Sequence, residues 1–183
     1  MSGEISVAPV GKVEASVLAH VCAIIGETFG GPCRAREALP APDYAYDRRR
    51  GQYSAHAILE RLHPRSVERV LGVVDRDLYV PELNFVFGLA DLPGRRALIA
   101  LPRLRQSFYG VPDSDALFVT RAAKEAVHEL GHTYGLGHCR DRCCVMVFSN
   151  SLADTDYKGR QFCARCASRL PVQIMRCEQG DTR

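Results

Sequence analysis

No stretch of this chain approaches the roughly 20 consecutive apolar residues that span a bilayer, which excludes a membrane-crossing helix. A secretory leader is missing too: "MSGEISVAPVGK" lacks a basic segment followed by an apolar one, so the expected setting is cytoplasmic and reducing. Charge of one sign is not in excess. With 24 basic and 21 acidic residues the net charge is +3, too mild to predict a nucleic-acid or anionic-membrane partner. The one basic run, Arg48-Arg49-Arg50, directly follows Asp47 and reads as a solvated loop. Internal repeats and low-complexity segments are also lacking.

What remains is ordinary globular material. The chain has 183 residues, 46% apolar and 25% charged, enough for one domain over 1–183 with a proper core; a monomer is expected. Residues 4–9 predict a first strand. Val13, Val17, Val21, Ile24 and Ile25 recur at three- and four-residue steps and predict a helix over 12–29, broken by Gly-Gly-Pro at 30–32. A short strand is expected in "CRAREA", a loop over 39–52, and a second helix over about 53–63, before Pro64. Apolar runs at 67–75, 83–90 and 96–102 have strand character, 103–114 is loop-like, and a long helix follows over about 116–135. Helix alternating with strand predicts α/β layering.

The long helix carries the chemistry, in "HELGHTYGLGHC" at 128–139. Val119, Ala122, Ala123, Ala126, Val127, Leu130 and Tyr134 fall in one broad sector of the helical wheel. His128 and His132, four apart, stack one above the other roughly opposite that sector, with Glu129 to their side. Gly135 can adopt left-handed backbone angles and end the helix. Only such a break turns His138 back toward the first two histidines. Three neutral imidazoles and one water make a catalytic zinc site with an open position, and zinc lowers the pKa of that water toward neutrality. Glu129 would take its proton and later pass it to a leaving amine. Solvated or helix-capping histidines would explain neither the glycine nor the third histidine.

His-Glu-x-x-His-x-x-Gly-x-x-His at 128–138 is the metzincin metallopeptidase signature. Its continuation, "HCRDRCCVM" and then "FCARC", resembles the archaemetzincin family, as does "VDRDLYVPELNFVFGLA" at 74–90. The resemblance implies an α/β (α+β) metzincin-like fold: a twisted mixed sheet packed on helices, including the active-site helix, plus a small C-terminal four-cysteine zinc subdomain. It implies a zinc metallopeptidase acting on a peptide or protein substrate. His128, His132 and His138 would be ligands of a catalytic zinc, Glu129 the general base, and Met146 a packing platform beneath the metal. Some other metzincins carry a tyrosine two residues after that methionine; here Phe148 offers no hydroxyl, so the oxyanion stabiliser is unassigned.

Six of the eight cysteines (22, 33, 139, 143, 144, 163, 166 and 177) lie after residue 138. Clustered cysteines in a reducing compartment favour metal over disulfides. Cys139, Cys144, Cys163 and Cys166 read as a closed structural zinc site within 139–170, with the Cys-x-x-Cys pair as a two-thiolate knuckle, for a total of two zinc ions (Zn2+) per chain. Cys143 competes with Cys144, and the family spacing favours Cys144. A redox Cys-x-x-Cys or disulfides are the competing readings, although a redox motif needs no upstream pair. Cys22 reads as a small core residue.

In metzincins an edge strand pairs antiparallel with the substrate, and Asn84, Phe85, Val86, Phe87 and Gly88 are the suggested edge, with a central core strand as the alternative. Tyr44, Tyr46 and Tyr53 surround the arginine run as cleft or packing residues. Beside the peptidase stand a peptide-binding module with weak or no turnover, and a purely structural zinc protein. Glu129 argues against the last, which needs no base.

Overall fold

A computed structural model describes residues 4–65 and 69–171. Cys177, and the first two residues of the predicted 67–75 strand, lie outside the described residues. The main sheet has five strands in the order β2-β1-β5-β8-β7: β1 (Ile5–Val10), β2 (Cys33–Ala35), β5 (Arg69–Val74), β7 (Gly88–Ala90) and β8 (Arg96–Ala100). β2, β1, β5 and β8 run parallel, and β7 closes one edge antiparallel to β8. A small second sheet joins β3 (Tyr46–Asp47), β4 (Gln52–Ser54) and β6 (Leu78–Tyr79). The helices are α1 (Ala15–Phe29), α2 (Ala55–Glu60), α3 (Asp115–Thr133), α4 (Leu152–Tyr157) and α5 (Ala164–Ala167).

The central strands are buried on both faces, which is why they read as continuous apolar runs. Ile5, Val7, Leu71, Val73, Ala97 and Ile99 point to one face, where α1 supplies Val17, Val21, Ile25 and Phe29 and α3 supplies Ala122, Ala126, Val127 and Leu130. Ala8, Val10, Val70, Val74, Leu98 and Ala100 point to the other, against Ala55, Ile58, Leu59 and Leu62 of α2 and its exit. Gly72 in β5 has no room for a side chain: a Cβ there would lie 2.8 Å from Leu62 and 2.9 Å from Leu98.

Two expectations need correction. The 39–52 segment is not all loop, because it holds the β3–β4 hairpin, whose strands are too short to show a period. The 83–90 run is not one strand. Its first half crosses from the small sheet to the large one. Val86 donates its amide to Leu78 O at 3.0 Å in an isolated bridge, while Gln52 Nε2 donates to Asn84 O at 2.9 Å and the Arg50 guanidinium to Leu83 O, so one bridge and two side chains stand in for a ladder. In α3, residues 121–133 are buried except Lys124 and His132, which are partly so. Among the described residues no helix is long and apolar enough to cross a membrane.

Candidate active site

α3 starts at Ser114, whose hydroxyl accepts from the Leu117 amide, and ends at Thr133. Its exit is built for a reversal. Gly135 sits at φ +85°, the Gly135 amide donates to His132 O at 2.8 Å, and the Leu136 amide donates back to Gly131 O at 3.3 Å. Gly94, beyond β7, adds an amide to Thr133 O at 3.0 Å. The turn returns His138 to the helix, with ring centroids 5.4 Å from His128 and 5.0 Å from His132. One ligand atom from each of the three rings lies within 4.8 Å of the others.

The ring orientations are fixed by backbone carbonyls. Nδ1 of His128 donates to Val145 O at 2.8 Å, and Nδ1 of His132 donates to Leu136 O at 2.7 Å. A carbonyl only accepts, so each Nδ1 carries the proton and each Nε2 presents a lone pair. Those two Nε2 atoms are 3.0 Å apart. Two facing lone pairs at that distance repel unless a cation lies between them. Burial lowers the pKa of all three imidazoles, His128 most strongly, and keeps them neutral and ligand-ready. The donor set therefore fits a zinc-like divalent ion with one side open.

Glu129 is 6% exposed. Burial first, then the charge of Glu125 one turn earlier, pushes its pKa up to about 8, while Lys158 opposes the rise. Lys158 is fully buried and pairs with Glu125 at 2.9 Å, and Thr155 Oγ1 donates to the same carboxylate at 3.1 Å. Sequence reasoning missed this pair. Glu125 stands four residues before Glu129, a visible hint, but its partner lies 33 positions further on. α4 is held against α3 by bidentate Arg121–Asp156 hydrogen bonds at 2.6 and 2.7 Å.

Met146 is fully buried under the histidine turn, and a Cβ at Gly131 would meet its sulfur at 2.5 Å. The cleft above, about 280 Å³, is lined by the three histidines, Glu125, Glu129, Phe85, Val86, Phe87, Gly88, Leu89, Leu92 and Phe148. Of the five suggested edge residues only Gly88 belongs to β7. Asn84 is exposed and does not line the cleft, and Phe87 is a core residue that accepts from the Ala100 amide. The edge facing the cleft is Gly88–Ala90. The tyrosines do not line this cleft: Arg61 stacks 3.6 Å over the Tyr44 ring, and Tyr46 packs on Tyr53.

Cys139, Cys144, Cys163 and Cys166 bring their sulfurs within 4.8 Å of one another, while Cys143 is exposed and outside the group. Four mutually convergent thiols suit a tetrahedral ion better than two disulfides. Burial resists ionisation of Cys139, but the Asp141 amide, the Arg165 guanidinium and the neighbouring thiols outweigh it and lower its pKa to about 7. Burial raises Cys144 to about 12, so a cation is needed to make the set anionic.

Comparison with known proteins agrees with this architecture. The model of "Peptidase family M54" matches residues 32–171. An archaemetzincin of Methanocaldococcus jannaschii is 45% identical over 166 residues, 91% of this chain and 92% of that protein. The crystal structure of archaemetzincin from Archaeoglobus fulgidus, complexed with malonate, superposes with a TM-score of 0.82 at 35% identity, over 91% of this chain and 99% of that one. A zinc-dependent peptidase from Methanocorpusculum labreanum gives a TM-score of 0.81 at 27% identity, over 90% and 98%. The chain belongs to peptidase family M54, the archaemetzincins.

Proposed function

We propose that the protein is a zinc-dependent endo- or exopeptidase in which His128, His132 and His138 hold the catalytic ion, Cys139, Cys144, Cys163 and Cys166 hold a structural one, and Glu129 moves the proton. The observation that carries this reading is the pair of facing Nε2 lone pairs at 3.0 Å beside a buried carboxylate. A zinc ion bound there supplies Lewis acidity, polarising the scissile carbonyl and acidifying water. The chain's own residues do the rest. The edge of β7 offers backbone donors and acceptors to an extended peptide. The apolar walls, Phe85, Leu92 and Phe148 among them, shed water from the cleft. Glu129 accepts a proton from the attacking water and delivers it to the departing amine.

Gly88 serves this arrangement directly. A methyl group there would lie 2.5 Å from Glu129 Cγ and 2.6 Å from Oε1. Gly88→Ala should displace the carboxylate and lower kcat/KM on a cleaved peptide by roughly 10²-fold, with zinc content unchanged. A variant as active as the native protein would show that the carboxylate's position against β7 does not matter.

The reading itself is tested by metal analysis and a peptide library. The native protein should carry about two zinc ions and His138→Ala about one, because only the histidine site loses a ligand. Native protein should cleave library peptides and stop on chelation. Peptide binding with no cleavage by the zinc-loaded native protein would favour a binding module instead.

A further inference from the structure

The Sγ atoms of Cys22 and Cys33 are 3.1 Å apart, and both residues are partly buried. Neither belongs to the four-cysteine cluster. Cys22 lies at the middle of α1, and Cys33 opens β2 at the edge of the main sheet. The chain between them reverses through Gly30, the left-handed cap of α1, and Pro32. An S–S bond needs roughly 2.05 Å, so a contraction of about 1 Å separates this dithiol from a cross-link, within the reach of side-chain rotation.

We propose that Cys22 and Cys33 form a reversible disulfide, made by exchange with low-molecular-weight disulfides, that braces the corner between α1 and β2 against the histidine-bearing turn. The Cys33 thiol donates to Cys22, which lowers the pKa of Cys22 and raises that of Cys33, so Cys22 is the attacking group. Its thiolate attacks one sulfur of the small disulfide, forming a mixed disulfide and releasing one small thiol. Cys33 then loses its proton and attacks Cys22 Sγ, forming the protein cross-link and expelling the second small thiol. Two protein thiols are oxidised by two electrons, and the small disulfide takes up those electrons and both protons.

The corner touches the site through Phe29, the last residue of α1. Its ring stacks on Tyr134 at 5.6 Å and meets Phe162 edge-on at 5.7 Å. Tyr134 is the residue between the end of α3 and Gly135, and Phe162 precedes Cys163. Arg69 closes the stack, its guanidinium 3.6 Å over Tyr134 and its Nε donating to Thr133 Oγ1 at 3.0 Å. Fixing α1 to β2 therefore limits the aromatic wedge on which the turn to His138 rests.

The test uses the zinc-loaded full chain incubated with oxidised glutathione, trapped by alkylation and mapped by peptide mass spectrometry. The expected product is one cross-link, Cys22 to Cys33, with loss of two hydrogen masses and reversal by a thiol reductant. The closed loop is short, so Tm should rise by roughly 5–10 °C. Amide hydrogen exchange of residues 131–138 should slow several-fold. Cys22→Ser should show neither the cross-link nor the Tm rise, and Cys33→Ser serves equally if that variant folds poorly. Glutathione left on Cys22 with no cross-link, or cross-links confined to other cysteines, would overturn the disulfide. A cross-link that leaves exchange at 131–138 unchanged would overturn the brace.

Discussion

Glu129→Gln should lower peptide cleavage by roughly 10²–10⁴-fold while zinc at the histidines stays in place. Glutamine keeps the shape that Gly88 accommodates and removes only the ability to take a proton. The native protein should lose activity as pH falls through the Glu129 pKa, since a protonated carboxyl cannot act as a base. Burial places that pKa at about 8 without metal, and a cation at the histidines pulls it lower. The residual activity of the variant should lack that acid limb. Stability gives an independent reading with the opposite dependence on the charge. A carboxyl whose pKa is raised on folding contributes stability that is fully present below its ordinary value near 4.5 and lost as pH rises through about 8. In metal-stripped protein, Glu129→Gln should therefore gain Tm relative to the native chain across that window, measured by thermal melts at a series of pH values. Equal cleavage by both proteins would remove Glu129 from the chemistry.

Cys163→Ser should cost more in structure than any other single change in the site. Structural zinc in small sites contributes about 10–16 kcal/mol of apparent binding free energy, most of it spent on folding the segment that binds. A serine breaks the four-sulfur set, so zinc per chain should fall from about two to one or fewer, and Tm should drop by more than roughly 10 °C. The loss should spread. Cys139 donates its amide to Met146 O at 2.8 Å, Val145 donates to Gln161 O at 2.8 Å, and Val145 O orients His128. Losing such an orienting partner typically weakens metal affinity by about 10–100-fold, so zinc at the histidines should become easier to chelate. Unchanged affinity at the histidine site would show that the two sites are independent.

The reach of sequence reasoning here followed the range of the interactions. His128, Glu129, His132, Gly135 and His138 lie within eleven positions, so helical period and one glycine were enough to anticipate their convergence. The cysteine set was legible because Cys163 and Cys166 form a local knuckle, although choosing Cys144 over Cys143 required a family spacing. What escaped depends on distant parts of the chain. The 83–90 run was read as one strand because "LNFVFG" has strand composition, yet Arg50 and Gln52 occupy the carbonyls of Leu83 and Asn84 and only Gly88–Ala90 joins the main sheet. Lys158 meets Glu125 where Arg121–Asp156 and the Lys124 bonds to Thr155 O and Asp156 O dock α4 on α3. Cys22 was read as a core residue from its helical period alone, and nothing local announced that β2 would bring Cys33 to its sulfur.

Val145 O holds the His128 ring, and the residue before Val145 is Cys144. That carbonyl belongs to the peptide joining Val145 to Met146, and Met146 O accepts the amide of Cys139, so displacing this short segment would disturb an imidazole and a cysteine together. The two centres thus pivot on a common joint, and any redesign that re-aims one of them must re-aim both.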